Sequence, residues 1–238
     1  MTRDTNTVTG TSERTSGATG APGRPVWWRR PWIIPLALVV AAYLVYQLSP
    51  FRHLDESTAP LPPHDGFPLY FPILLVHMFF ATVSMITVVL QVWPWLRIKH
   101  PRAHRISGRC YVVAVLIAGV TGLIIVPFAP IPGQVGVIAA TVTWMAVTAM
   151  AFVRARQRQF VRHRRLMLYS FAIVMNNVWG VILGRVGLSM TDVIDIQYVQ
   201  EGVRWLGWVG NLMLVQWWIY RTGDRRRATR RTTSEAYQ

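Results

Sequence analysis

The sequence predicts an all-α protein, a polytopic transmembrane helix bundle of six spans with both termini on the inner side of the membrane. Three observations predict it. Hydrophobic residues make up 52% of the 238 and charged residues only 15%. Uncharged runs long enough to cross a bilayer recur along the chain, since about 20 residues at about 1.5 Å each span the hydrocarbon. The basic residues are confined to alternate connections. A formal charge of +15 would suggest nucleic acid in a soluble chain. Here the low charge density and 11 Trp exclude that partner and point to a lipid bilayer.

The elements follow in order. Residues 1–30, rich in Thr, Ser and Gly, read as a disordered cytoplasmic tail. The first uncharged run, 21 residues between Arg30 and Arg52, holds the apolar stretch Trp32–Leu48. It lies too far from the N-terminus for a cleaved signal peptide and reads as a retained anchor, with Arg29 and Arg30 as its positive flank. The second run, 31 residues between Asp65 and Arg97, gives one tilted span at about Leu69–Trp93. The third, 44 residues between Arg109 and Arg154, gives two spans, Cys110–Val126 and Gln134–Val153. Three prolines and a glycine in 127–133 part them. A fifth span is Leu166–Gly184. The sixth, Trp205–Tyr220, has only 16 residues and recruits Gln200–Arg204 at its outer end. The membrane domain is thus 31–221, followed by a basic cytoplasmic tail at 222–238.

Orientation comes from the loops. The two tails and the segments Arg97–Arg109 and Arg154–Arg165 hold 22 basic residues. The other three connections hold 3: Arg52, Arg185 and Arg204. Cytoplasmic loops keep Lys and Arg, so both termini are expected inside, on the cytoplasmic face of the plasma membrane. Trp27, Trp28, Trp32, Trp93, Trp95, Trp217 and Trp218 fall near inner ends, and Trp205 and Trp208 near the outer one, as an aromatic belt requires. Cys110, the single cysteine, excludes a disulfide framework, Cys-pair zinc sites and covalent haem attachment. It reads as a packing residue.

Ala114, Ala118 and Gly122 form one small-residue row and Gly180 and Gly184 another, each suited to close helix contact. His77, Ser84 and Gln91 follow at seven-residue spacing on one helix face, which should turn to the bundle interior. Asn176, Asn177 and Asn211, with Trp144, fall at about the depth of His77. This defines an intramembrane polar layer whose members meet each other, water or a ligand. The plain reading is interhelical hydrogen bonding; the sharper one gives His77 a functional role.

A second constellation lies on the inner side. Aligned on His104 and His163, the segments read HRISGRCY and HRRLMLY, each opening a helix that enters the membrane. This suggests two equivalent hairpins. Arg105, Arg109, Arg164 and Arg165 read as topology signals and contacts to anionic lipid headgroups. His77, the corner HPRAHRISGRCY at 100–111 and HRRLM at 163–167 together resemble the DUF2306 family of predicted membrane proteins, over about residues 70–190. The resemblance implies a bacterial multi-span protein and brings no activity with it. The HRRLM corner is also similar to that of a small group of membrane proteins tied to haem-copper oxidase maturation.

Three function classes follow. A b-type haem needs two axial ligands at one depth on facing helices. His104 and His163 are the candidate pair, with adjacent arginines for the propionates, while His77 lies at the other side without a His partner. A non-enzymatic interaction or assembly subunit would use the basic inner surface to dock lipids or a protein partner. A small-solute transporter would use the polar layer, but the sequence has no Gly- or Pro-broken helix pair and no intramembrane carboxylate. No catalytic motif is present and no metal site is expected. His53, His64, Asp55, Glu56 and Asp65 read as a solvated outer loop.

Overall fold

The computed structural model describes residues 32–129, 131–189 and 195–235. The tail expected at 1–30 lies outside them. The described chain is helical: α1 (Ile33–Leu48), α2 (Tyr70–Val92), α3 (Pro94–Lys99), α4 (Pro101–Ile125), α5 (Gln134–Arg156), α6 (Phe160–Val174), α7 (Asn176–Leu188) and α8 (Ile196–Glu235). Five stretches are long and apolar enough to cross a membrane: Ile33–Phe51, Tyr70–Val92, Pro101–Phe128, Gln134–Arg156 and Phe160–Leu188. Ile34, Leu38, Val45, Phe79 and Ile86 point outward. An outward apolar surface of that extent suits lipid, not water. The expected sixth span is not among the five. Its 16 uncharged residues are diluted by Trp205, Trp208, Trp217, Trp218, Asn211 and Gln216.

Charged segments extend the helices. The third span was expected from Cys110, but α4 already begins at Pro101, where the ring pre-sets φ and no N–H is lost. The corner segment HPRAHRISGR is therefore almost wholly helical. Likewise α6 begins at Phe160, six residues before the expected Leu166. Trp93 is extended because Pro94 follows it, which parts α2 from α3. The expected break at 127–133 is present. Gly133 takes φ +94°, a conformation few side-chain-bearing residues adopt, and the Gln134 amide donates to the Ala129 carbonyl at 2.7 Å. The segment after 221 remains within α8 as far as Glu235.

The fifth span is not one helix. It divides at Met175, where there is neither Pro nor Gly. The Val178 N–H donates to the Met175 carbonyl at 3.1 Å, a one-residue tightening that frees the Val174 carbonyl. The Asn177 amide takes up that carbonyl at 3.1 Å, and Asn211 from α8 donates to the Ala172 carbonyl at 2.9 Å. A bare carbonyl in hydrocarbon is costly, so these asparagines repair the break locally.

Packing is by two hairpins, α2 against α4 and α5 against α6, closed by α7 and α8. Ala114 and Ala118 are buried where α4 meets α2. A Cβ at Gly122 would stand 3.0 Å from the His77 ring, so this row is a packing face. Gly180 and Gly184 are a correction: nothing lies within 4 Å of where their Cβ atoms would stand. The close contact of α7 with α8 uses Gly207 instead, where a Cβ would collide with the Asn176 side-chain oxygen. The core joins Val88, Tyr111, Val115, Ala118, Trp144, Ile173 and Trp208. The Arg204 stem fills notches at Gly133 and Gly136, at the start of α5. Gln216, twelve residues on, bonds Tyr169 and Arg165 near the start of α6. α5 and α6 are antiparallel partners, so α8 runs from one end of the bundle to the other. α1 lies at the edge of the bundle, with Val40 buried in the core and Arg185 donating to the Tyr46 hydroxyl.

Candidate functional site

The two hairpins turn at the same, arginine-rich end, and there α2, α4, α5 and α6 enclose a cavity of about 630 Å³. Its walls are apolar: Val88, Val112, Phe152, Phe160, Met167 and Leu168. Its polar groups come from the helical corner segments. Because α4 and α6 begin before their uncharged stretches, their first turns carry charged residues in register with the cavity. Arg105, Arg109, Arg156, Arg158 and Arg164 line it, all solvent-exposed, and so does Arg97. Among the described residues none of the first five meets a carboxylate; the ion pair there is His64 with Glu56 in a distant loop. Arg158 reaches the cavity from a backbone held at φ +59°, the left-handed region that few non-glycine residues occupy.

His104 and His163 both line this cavity and lie close enough to interact electrostatically. The His163 Nδ1 lies 2.9 Å from the Ala151 carbonyl. A carbonyl only accepts, so Nδ1 carries a proton; in the neutral ring Nε2 is then the acceptor. The His104 Nδ1 is buried without a hydrogen-bond partner. Its backbone is fixed by Gln91, whose amide donates to the His104 carbonyl at 3.0 Å and to the Ser107 hydroxyl at 2.6 Å. Gly108 leaves the room for that: a Cβ there would stand 3.2 Å from Gln91 Oε1.

About 10 Å deeper along α4, at 1.5 Å per residue, lies a buried chain of hydrogen bonds. Trp144 Nε1 donates to the Tyr111 hydroxyl at 3.1 Å; Tyr111 shares a 2.6 Å bond with Ser170, and Ser170 a 2.7 Å bond with Thr148. Tyr111 and Ser170 are 59 residues apart, the same separation as His104 and His163. Both pairs thus join equivalent positions of the two hairpins. Sequence reasoning missed this chain. Its signal was present, since both residues stand seven after the aligned histidines.

The polar layer is not one cluster. His77 Nδ1 donates to the Ala118 carbonyl of α4 at 2.9 Å, while Asn177 and Asn211 serve the break near Met175. The Asn176 side-chain oxygen is buried without a hydrogen-bond partner, against Gly207. Trp144 belongs to the Tyr111 chain. Of the stripe, His77 and Gln91 do reach α4, whereas Ser84 is buried and donates to Ala81 of its own helix at 2.7 Å. Arg165 does not line the cavity. It donates to the Tyr169 hydroxyl at 2.9 Å and to Gln216 at 3.1 Å, away from the cavity. Cys110, expected to pack, is exposed.

In the far loop, His64 is held above its ordinary pKa by its bond to the Pro62 carbonyl and then by Glu56. His53 accepts from Arg52, and Asp55 caps Ser57. Among the described residues no three His, Cys, Asp or Glu side chains converge on a metal-sized point.

Fold and site together define a polytopic helical membrane protein with a cationic cavity at one end. The chain belongs to DUF2306, a family of predicted membrane proteins, whose family model matches residues 74–219. The match takes in both hairpins and α8 as far as Ile219. No curated protein matches the chain, and no solved structure does.

Proposed function

We propose that the protein binds an anionic amphiphile at the cytoplasmic end of a bacterial plasma-membrane bundle. The single observation that carries this is the cavity between the hairpins, with five arginines at its mouth that meet no carboxylate among the described residues and an apolar wall behind them. Guanidinium groups kept together without counter-ions repel one another and gain most from a shared anion. The apolar wall adds affinity for a hydrocarbon body. Detergent-purified protein titrated with dioleoyl phosphatidic acid is expected to bind one equivalent, followed by native mass spectrometry. Dioleoyl phosphatidylcholine, whose headgroup is neutral overall, is expected not to compete. Equal binding of phosphatidylcholine would remove the reading.

The cytoplasmic placement rests on the asymmetry of 22 basic residues against 3. Six spans are supported by α8, which passes Gly133 at one end of the bundle and Arg165 at the other. With exposed Cys110 replaced by Ser, single cysteines at Ser57 and Thr222 are expected to label from opposite sides of intact cells. Labelling from one side would refute six spans.

A b-type haem is the second reading, favoured by His163, whose Nδ1–H bond to Ala151 orients Nε2 as a ligand would be oriented. Haem-replete protein without Soret absorbance, before and after dithionite, would exclude it.

A further inference from the structure

We infer that the headgroup this cavity takes is a lipid phosphate of at least two negative charges, a phosphomonoester or diphosphate, and not a carboxylate or a singly charged phosphodiester. The inference rests on the reading above, that the cavity binds an anionic amphiphile. Its first ground is charge. Five guanidinium groups at one mouth have no carboxylate partner among the described residues. One negative charge would leave most of that repulsion standing, whereas two or three would quench it.

The second ground is direction. Arg105 and Arg109 come from α4, Arg156 from the end of α5, Arg158 from the turn that follows and Arg164 from α6. A carboxylate offers two oxygens in one plane and suits a single fork. A tetrahedral phosphate offers oxygens in several directions and can be held from several elements at once. The turn bearing Arg158 adopts φ +59°, an uncommon conformation that places a further cation at the mouth. The start of α6 agrees: Phe160 lines the cavity, and the Ncap residue Gln159 makes no side-chain capping bond. The uncapped N–H groups of that first turn add partial positive charge. The walls of Val88, Phe152 and Met167 then account for a lipid in place of free phosphate.

The test is competitive binding to the detergent-purified full chain at pH 7.5, using farnesyl diphosphate, dioleoyl phosphatidic acid, dioleoyl phosphatidylglycerol, oleate and inorganic pyrophosphate. Farnesyl diphosphate and phosphatidic acid are expected to bind at least about tenfold more tightly than phosphatidylglycerol and oleate, in keeping with two charges against one. Phosphatidic acid is expected to lose most of that advantage below about pH 6, where its second proton returns. Pyrophosphate is expected to compete, but more weakly than farnesyl diphosphate. Equal affinity for phosphatidylglycerol and phosphatidic acid, or a preference for oleate, would overturn the headgroup assignment while leaving the amphiphile reading intact. Pyrophosphate binding as tightly as farnesyl diphosphate would overturn the lipid part. Binding of none of the five would overturn the amphiphile reading itself.

Discussion

Replacing Tyr111 with Ala is expected to cost about 3 kcal/mol or more, as truncation of a large buried aromatic does. At about 2–4 °C per kcal/mol for a chain of this size, the melting midpoint in detergent should fall by about 6–12 °C. Tyr111 is fully buried, and its hydroxyl ties Trp144 of α5 and Ser170 of α6 to α4. The substitution therefore opens a cavity and strips the Trp144 N–H of its acceptor, in a place with no water to replace it. Tyr111→Phe keeps the ring and loses only the hydroxyl. It should cost about 1–2 kcal/mol, because the Trp144 N–H is orphaned while Ser170 keeps its bond to Thr148. A Tyr111→Ala midpoint within about 2 °C of the wild type would show that this chain of bonds does not hold the two hairpins together.

The charge at the mouth should have the largest effect on binding. The double substitution Arg105→Glu, Arg164→Glu is expected to weaken an anionic amphiphile by about 100-fold or more. Each charge-assisted bond is worth about 1.5–3 kcal/mol, and the new carboxylates repel the headgroup as well. These residues sit on α4 and α6, on opposing walls of one cavity. Arg165, adjacent in sequence, is the control. It bonds Tyr169 and Gln216 outside the cavity, so Arg165→Glu should change affinity by no more than about threefold at ordinary ionic strength. Equal losses at all three positions would mean a diffuse basic rim in place of a site. Melting curves of the same variants separate lost binding from lost folding.

What could be read in the chain, and what could not, follows from the range of the forces involved. Helix existence is local. The uncharged runs gave α2 to within a residue at each end and α5 from its first residue to three short of its last, and Gly133 marked its turn, because backbone groups in hydrocarbon have few alternatives to a helix. Helix ends were less legible. Charge limits what can lie in the bilayer, not what can be helical, so α4 and α6 begin before their apolar parts. The break at Met175 had no Pro or Gly to announce it. It depends on Asn177 and Asn211 taking the freed carbonyls, one of them from another helix.

The same division runs through the site. The sequence by itself determined that His104, His163 and their arginines stand at one end of the bundle, because the loop charges and the repeated corner are written in the chain. Only the tertiary structure decided which of those cations share a cavity. Arg164 and Arg165 are neighbours in sequence, yet about 100° apart around a helix. One faces the mouth and the other Gln216. The tertiary structure also dispersed the polar layer. Equal depth does not bring side chains together unless their helix faces also meet, and His77 faces α4 while Asn211 faces α6.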